Sequence, residues 1–181
     1  LGGVFPALFW LWFWLREDRT HPEPRWLILL SFIAGGLTIA FVLPIEWLMK
    51  EYIPQGFYLV LGWALAEEVG KYLATHFTAF KNKNFDEPID ALIYLITVAL
   101  GFAAFENFLF IMKTISQQGN IAGLVIGNVR FIGAMLLHIV SSSAVGGMMA
   151  LSFYAPRNIE HIFVLFLLCK RRVVESSRRR I

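Results

Sequence analysis

The stretch FYLVLGWALAEEVGKYLATHFTAF (57–80) is apolar almost throughout, yet it carries Glu67 and Glu68 side by side near its middle. At ~1.5 Å per residue a helix of this length crosses a bilayer, and the pair lies ~15 Å from its start. Burying one carboxylate at that depth costs several kcal/mol, and two cost more unless they share a proton, a metal or a cation. No packing role calls for adjacent buried acids. The stretch therefore predicts a membrane-spanning helix with a functional load.

The rest of the chain agrees. Of 181 residues, 57% are hydrophobic and 16% charged, whereas soluble domains sit near ~45–50% and ~25%. The expected fold is all-α, a polytopic transmembrane bundle of about five or six spanning helices. Apolar runs place helices at about Val4–Leu15, Trp26–Leu43 (ended by Pro44), Phe57–Phe80, Ile89–Met112 and Arg130–Tyr154. Glu46, Lys50 and Glu51 then fall in a connection, KNKNFDEP (81–88) in a tight polar loop, and Ile121–Val129 in a softer segment. The run Ile162–Cys169 is too short to span alone. Residues 1–169 read as one integral membrane domain and 170–181 as a basic tail. The opening LGGVFPALFWLWFWL, without initiator Met or basic n-region, suggests a truncated or processed first helix.

The net charge is only +3, and many of the basic residues crowd the tail. That pattern suits anionic lipid headgroups and excludes a nucleic-acid groove, since no aromatics interleave with the basic residues. The single cysteine, Cys169, excludes an internal disulfide and a cysteine-based zinc site. Loop charges (Arg16, Arg19, Arg25, Lys81, Lys83) favour the cytoplasm for the Lys81/Lys83 side.

Polar residues recur at one depth. Counted from one membrane face, Glu67 and Glu68 lie ~15 Å deep, Glu106 ~10 Å and His138 ~12 Å. Lys71 shares a helix face with Glu67 at i+4 and with Glu68 at i+3. Asn107 adjoins Glu106, His138 aligns with Ser141 and Ser142, and Ser142-x-x-x-Gly146 forms a small-residue packing face. Taken singly, His138 reads as a packing residue, Glu106-Asn107 as an interfacial cap and Lys71 as a counter-ion. Ser141 or Ser142 beside His138 reads as a local hydrogen bond rather than a nucleophile. Asp86, Glu87 and Asp90 around Pro88 read as an ordinary helix start.

Together the acids and the histidine support two kinds of chemistry. A buried carboxylate can take a proton from water while an imidazole stabilises an oxyanion or serves a leaving amine. Alternatively Glu67, Glu68, Glu106 and His138 are candidate ligands for Zn2+, which would activate water at an open position. Both lead to hydrolysis. A proton- or cation-coupled transporter using the same acids is the alternative, although no inverted repeat marks one. A non-catalytic membrane scaffold is a third reading.

At these residues the chain resembles the PrsW family of intramembrane proteases, related to the CAAX prenyl protease and bacteriocin-processing enzymes. The matching elements are Glu67-Glu68-Val-Gly-Lys71, Asp86-Glu87-Pro88-Ile-Asp90-Ala-Leu-Ile-Tyr94, Gly101-Phe102-Ala-Ala-Phe-Glu106-Asn107 and then His138, within roughly residues 60–145. The resemblance implies a protease of the prokaryotic cell (inner) membrane that cuts a single-pass membrane protein, such as an anti-sigma factor. It implies Glu67, Glu68 and His138 as the essential residues. Glu106 stands where the CAAX branch has His, and Ser142 where it has Asn, so a prenylated substrate is not implied.

Overall fold

The structure is a computed structural model that describes residues 4–17 and 23–152. Its elements are α1 (Val4–Glu17), α2 (Arg25–Tyr52), α3 (Phe57–Thr75), a π-helical turn (His76–Phe80), α4 (Pro88–Gln118) and α5 (Asn120–Ser152). Among the described residues there is no strand, and the all-α bundle is as expected. The expected end of the fifth helix at Tyr154, the run 162–169 and the tail 170–181 lie outside the described residues.

α4 is the central helix because its first half is apolar on every side. From Ala91 to Ala104 nearly every residue is buried, and α1, α2, α3 and α5 all pack on it. Leu27 and Ile28 of α2 meet Phe80, Phe85 and Tyr94 at one end. Ala7 of α1 and Met135 and Ile139 of α5 meet Ile96, Leu100 and Ala104 further along. Glycines set how closely the helices approach. A Cβ on Gly35 would lie 2.0 Å from the Val98 carbonyl oxygen, and one on Gly101 would lie 1.9 Å from that of Phe32. The backbones of α2 and α4 thus touch, as small residues allow in membrane bundles.

Outward faces are apolar: Phe41 is 74% exposed and Leu137 67%. In water such a surface would aggregate; in a bilayer it faces lipid. Among the described residues three helical segments, Arg25–Tyr52, Pro88–Gln118 and Gly133–Leu151, are long and apolar enough to cross a membrane. α3 has 19 residues and differs by carrying Glu67, Glu68 and Lys71.

Three expected boundaries are corrected. Pro44 does not end the second helix but lies inside α2, which continues to Tyr52. Proline removes one N–H donor and does not by itself stop a membrane helix whose neighbours hold it. Here the Trp63 indole of α3 donates to the Glu46 carbonyl at 3.1 Å, tying the extension down. Glu46, Lys50 and Glu51 are therefore helical. The fourth helix runs past Met112 to Gln118, because KTISQQ is polar but contains no breaker; Thr114 and Ser116 bond back to the Phe110 and Lys113 carbonyls. The chain turns only at Gly119, with φ of 87°. The softer segment 121–129 is accordingly the first part of α5, and Arg130 lies well inside that helix. The third helix spans 57–80 as expected, with its last turn widened to π.

The helix start at Pro88 is as read: Asp90 accepts from the backbone N–H groups of Asp86 (2.9 Å) and Glu87 (2.8 Å), completing a capping box. The Tyr94 hydroxyl donates to Glu23, joining α4 to the segment before α2.

Candidate active site

The helix positions just described bring α3, α4 and α5 together around one polar cluster. Glu68 is its most saturated member. Its Oε1 accepts from Lys71 Nζ at 2.7 Å and from Ser141 Oγ at 2.8 Å, and its Oε2 accepts from Ser142 Oγ at 2.9 Å. Glu67 is less engaged: its Oε2 lies 3.6 Å from Lys71 Nζ and 3.5 Å from His138 Nδ1. Both carboxylates keep about a fifth of their surface exposed.

Lys71 is wholly buried and bridges the acids to His138, with Nζ 2.9 Å from His138 Nδ1. An ammonium can only donate, so Nδ1 accepts and the neutral ring carries its proton on Nε2. That nitrogen points at Glu106 Oε2, 3.1 Å away. The network fixes the tautomer from both sides. Phe102 closes it apolarly, meeting the His138 ring edge-on at 5.4 Å and lying 4.7 Å from Lys71 Nζ.

All the residues singled out in the sequence therefore meet: Glu67, Glu68, Lys71, Glu106, Asn107, His138 and Ser142. Ser141 bonds to Glu68 and to the His138 carbonyl rather than to the imidazole, so neither serine forms a serine–histidine pair. Glu106 and Asn107 are not an interfacial cap, for Asn107 is 2% exposed and both bond to α5. Gly146 packs on Leu92 of α4, where a Cβ would lie 2.9 Å away, so the small-residue face is real.

Two members were missed. Arg130 donates to Glu106 at 2.6 Å and to Asn107 at 2.7 Å. A lone arginine two turns before His138 on the same helix face was the available signal. Glu46, carried past Pro44 on α2, reaches Glu67; reading Pro44 as a stop had hidden it.

These features define a membrane-embedded helical protein with a partly exposed acid–imidazole centre between its helices. A model described as PrsW family intramembrane metalloprotease matches residues 23–170, and the chain belongs to that family. It is 32% identical over 117 residues to "Protease PrsW" of Geobacillus kaustophilus, covering 61% of this chain and 51% of the relative. It is 31% identical over 155 residues to "Protease PrsW" of Clostridioides difficile, covering 81% and 62% respectively. The Bacillus subtilis protein of the same name is 28% identical over 114 residues. The chain thus spans about half to three-fifths of the length of the curated relatives it matches. No solved structure matches it. Family membership favours the protease reading over the transporter and the scaffold.

The family description includes a metal. Among the described residues, however, no three His, Cys, Asp or Glu side chains are grouped so as to hold one. The point on which Glu67, Glu68 and His138 Nδ1 converge is taken by the Lys71 ammonium. As arranged, the donors do not fit a zinc ion.

Proposed function

We propose that this chain is the catalytic membrane domain of an intramembrane endopeptidase that hydrolyses a peptide bond of a membrane-tethered protein. The observation that carries the reading is the contrast between the paired acids: Glu68 is saturated by three donors, whereas Glu67 lies beyond 3.4 Å from both Lys71 and His138. Glu67 is the general base. It takes a proton from water as the water oxygen attacks the scissile carbonyl carbon. The C–N bond then breaks, and the leaving amine takes the proton that Glu67 received from water, which returns Glu67 to its starting form. Glu68 holds α3 against α5, Lys71 sets the charge beside Glu67, and His138, held by Lys71 on Nδ1 and by Glu106 on Nε2, works with Glu106 to position the water.

The substrate class consistent with this centre is a single-pass membrane protein, an anti-sigma factor in the bacterial setting of the relatives, with the enzyme in the cell (inner) membrane. Kinship with the CAAX prenyl proteases fits the order of the acids. A zinc ion on Glu67, Glu68, Glu106 and His138 would supply Lewis acidity, but Lys71 would first have to leave Glu68 and His138, so no step is assigned to it.

Co-expression with doubly tagged single-pass substrates, comparing wild type with the Glu67→Gln/Glu68→Gln double variant by immunoblot, tests the reading. A shorter fragment seen with wild type alone is expected, and purified protein stripped with a chelator should still produce it. Equal fragments from both would overturn the assignment. Activity restored only by added zinc would overturn the metal-free step.

A further inference from the structure

We infer that Arg130 is a positioning residue of this site, acting through Glu106 to hold the direction of the His138 imidazole; the inference rests on the protease reading above. None of the matching stretches quoted above includes this arginine. Its guanidinium lies inside α5 rather than at a helix end, with a side chain only 17% exposed. A charge placed there is expensive in hydrocarbon unless it has built partners.

Arg130 has such partners, and they are all on α4. Nη2 donates to Glu106 Oε2 at 2.6 Å, Nε donates to Asn107 Oδ1 at 2.7 Å, and the guanidinium carbon lies 3.9 Å from the centre of the Phe110 ring. The planar fork thus fixes two consecutive side chains at once, which a lysine cannot do. Glu106 Oε2 is also the atom that faces His138 Nε2. One oxygen is therefore shared between a permanent cation and the imidazole N–H. Phe102, Glu106 and Phe110 follow one another at i, i+4 and i+8 on one α4 face. Lys71 lies over the first ring and Arg130 over the third. His138 is thereby held between Lys71 on Nδ1 and an Arg130-anchored carboxylate on Nε2. Without Arg130, Glu106 is free to rotate away, and the imidazole keeps Lys71 on Nδ1 but loses the acceptor that aims its Nε2–H.

The test reads the imidazole directly. In ¹⁵N-histidine-labelled protein, the signal lost in His138→Gln identifies His138. Wild type is expected to show one sharp Nε2–H signal with the shift of a hydrogen bond to a carboxylate, Arg130→Gln a shifted and broadened Nε2–H signal, and Arg130→Lys, which keeps the charge and guards against misfolding, an intermediate spectrum. Cleavage should fall on the order of 10²-fold in Arg130→Gln, through kcat rather than KM. Adding Arg130→Gln to Glu106→Gln should then cause no further loss, because both act through one oxygen. A wild-type His138 spectrum in Arg130→Gln, or losses that multiply in the double variant, would overturn the assignment. A wild type no more active than the Glu67→Gln/Glu68→Gln variant would instead remove the protease reading, leaving the imidazole result to decide the role of Arg130.

Discussion

At the residue scale the informative contrast lies between two adjacent glutamates with unlike surroundings. Glu68 is bonded on both oxygens, by Lys71 and Ser141 on one and by Ser142 on the other. Glu67 faces Lys71 and His138 at longer range and has Glu46 nearby. The two Glu→Gln variants should therefore fail differently. Glu67→Gln removes the base and should reduce cleavage by about 10²–10⁴-fold with the fold intact. Glu68→Gln leaves Lys71 without its closest charge and sets an amide N–H₂ against a serine donor, so it should also lower thermal stability. Ser142→Ala should mimic a milder form of that defect, at about 1.5–3 kcal/mol for one hydrogen bond to a charged acceptor. Thermal unfolding in detergent, run beside the cleavage assay, separates the two; equal stability in all three variants would contradict the assigned division of labour.

At the element scale the sequence revealed which residues meet but not where the helices end. The acids, Lys71 and His138 were legible because charged groups are rare in apolar runs and helical spacing is regular. Helix ends were read from hydropathy, and hydropathy does not end a helix. Backbone geometry does, and Gly119 rather than Lys113 is where it changes. Both resulting errors lie at the same end of the α4–α5 hairpin, so they offset each other to about one helical turn in the relative register of Glu106 and His138. Arg130 and Glu46 were missed for the same cause, since each was assigned to a boundary that lies inside a helix. The helix crossing itself rests on glycine. Gly101→Val would drive a side chain into the Phe32 carbonyl, 1.9 Å from where even its Cβ would sit. Strain of about 1–3 kcal/mol or more is expected, with α2 displaced from α4. A variant with unchanged thermal stability would show that the two backbones are not in contact.

At the scale of the whole molecule, the positively charged loop residues Lys81 and Lys83 stand at the end of the bundle away from Gly119. We propose that this end faces the cytoplasm, by the excess of Lys and Arg on that side. A cysteine placed at Lys83, in a Cys169→Ser background, should react with an impermeant thiol reagent only after the inner membrane is opened; labelling of intact spheroplasts would reverse the orientation. One feature of the bundle bears on how it would fail. α3 packs on α2 and α4, whereas it reaches α5 chiefly through the bonds of Glu67, Glu68 and Lys71 to His138, Ser141 and Ser142. Fastening and chemistry draw on the same few atoms. Warming or a harsh detergent should thus part α3 from α5 by a local opening, below the temperature at which the α2–α4–α5 core melts. Inactivation would then be reversible over a window in which the helices remain intact, and the first structure lost would be the part that does the work.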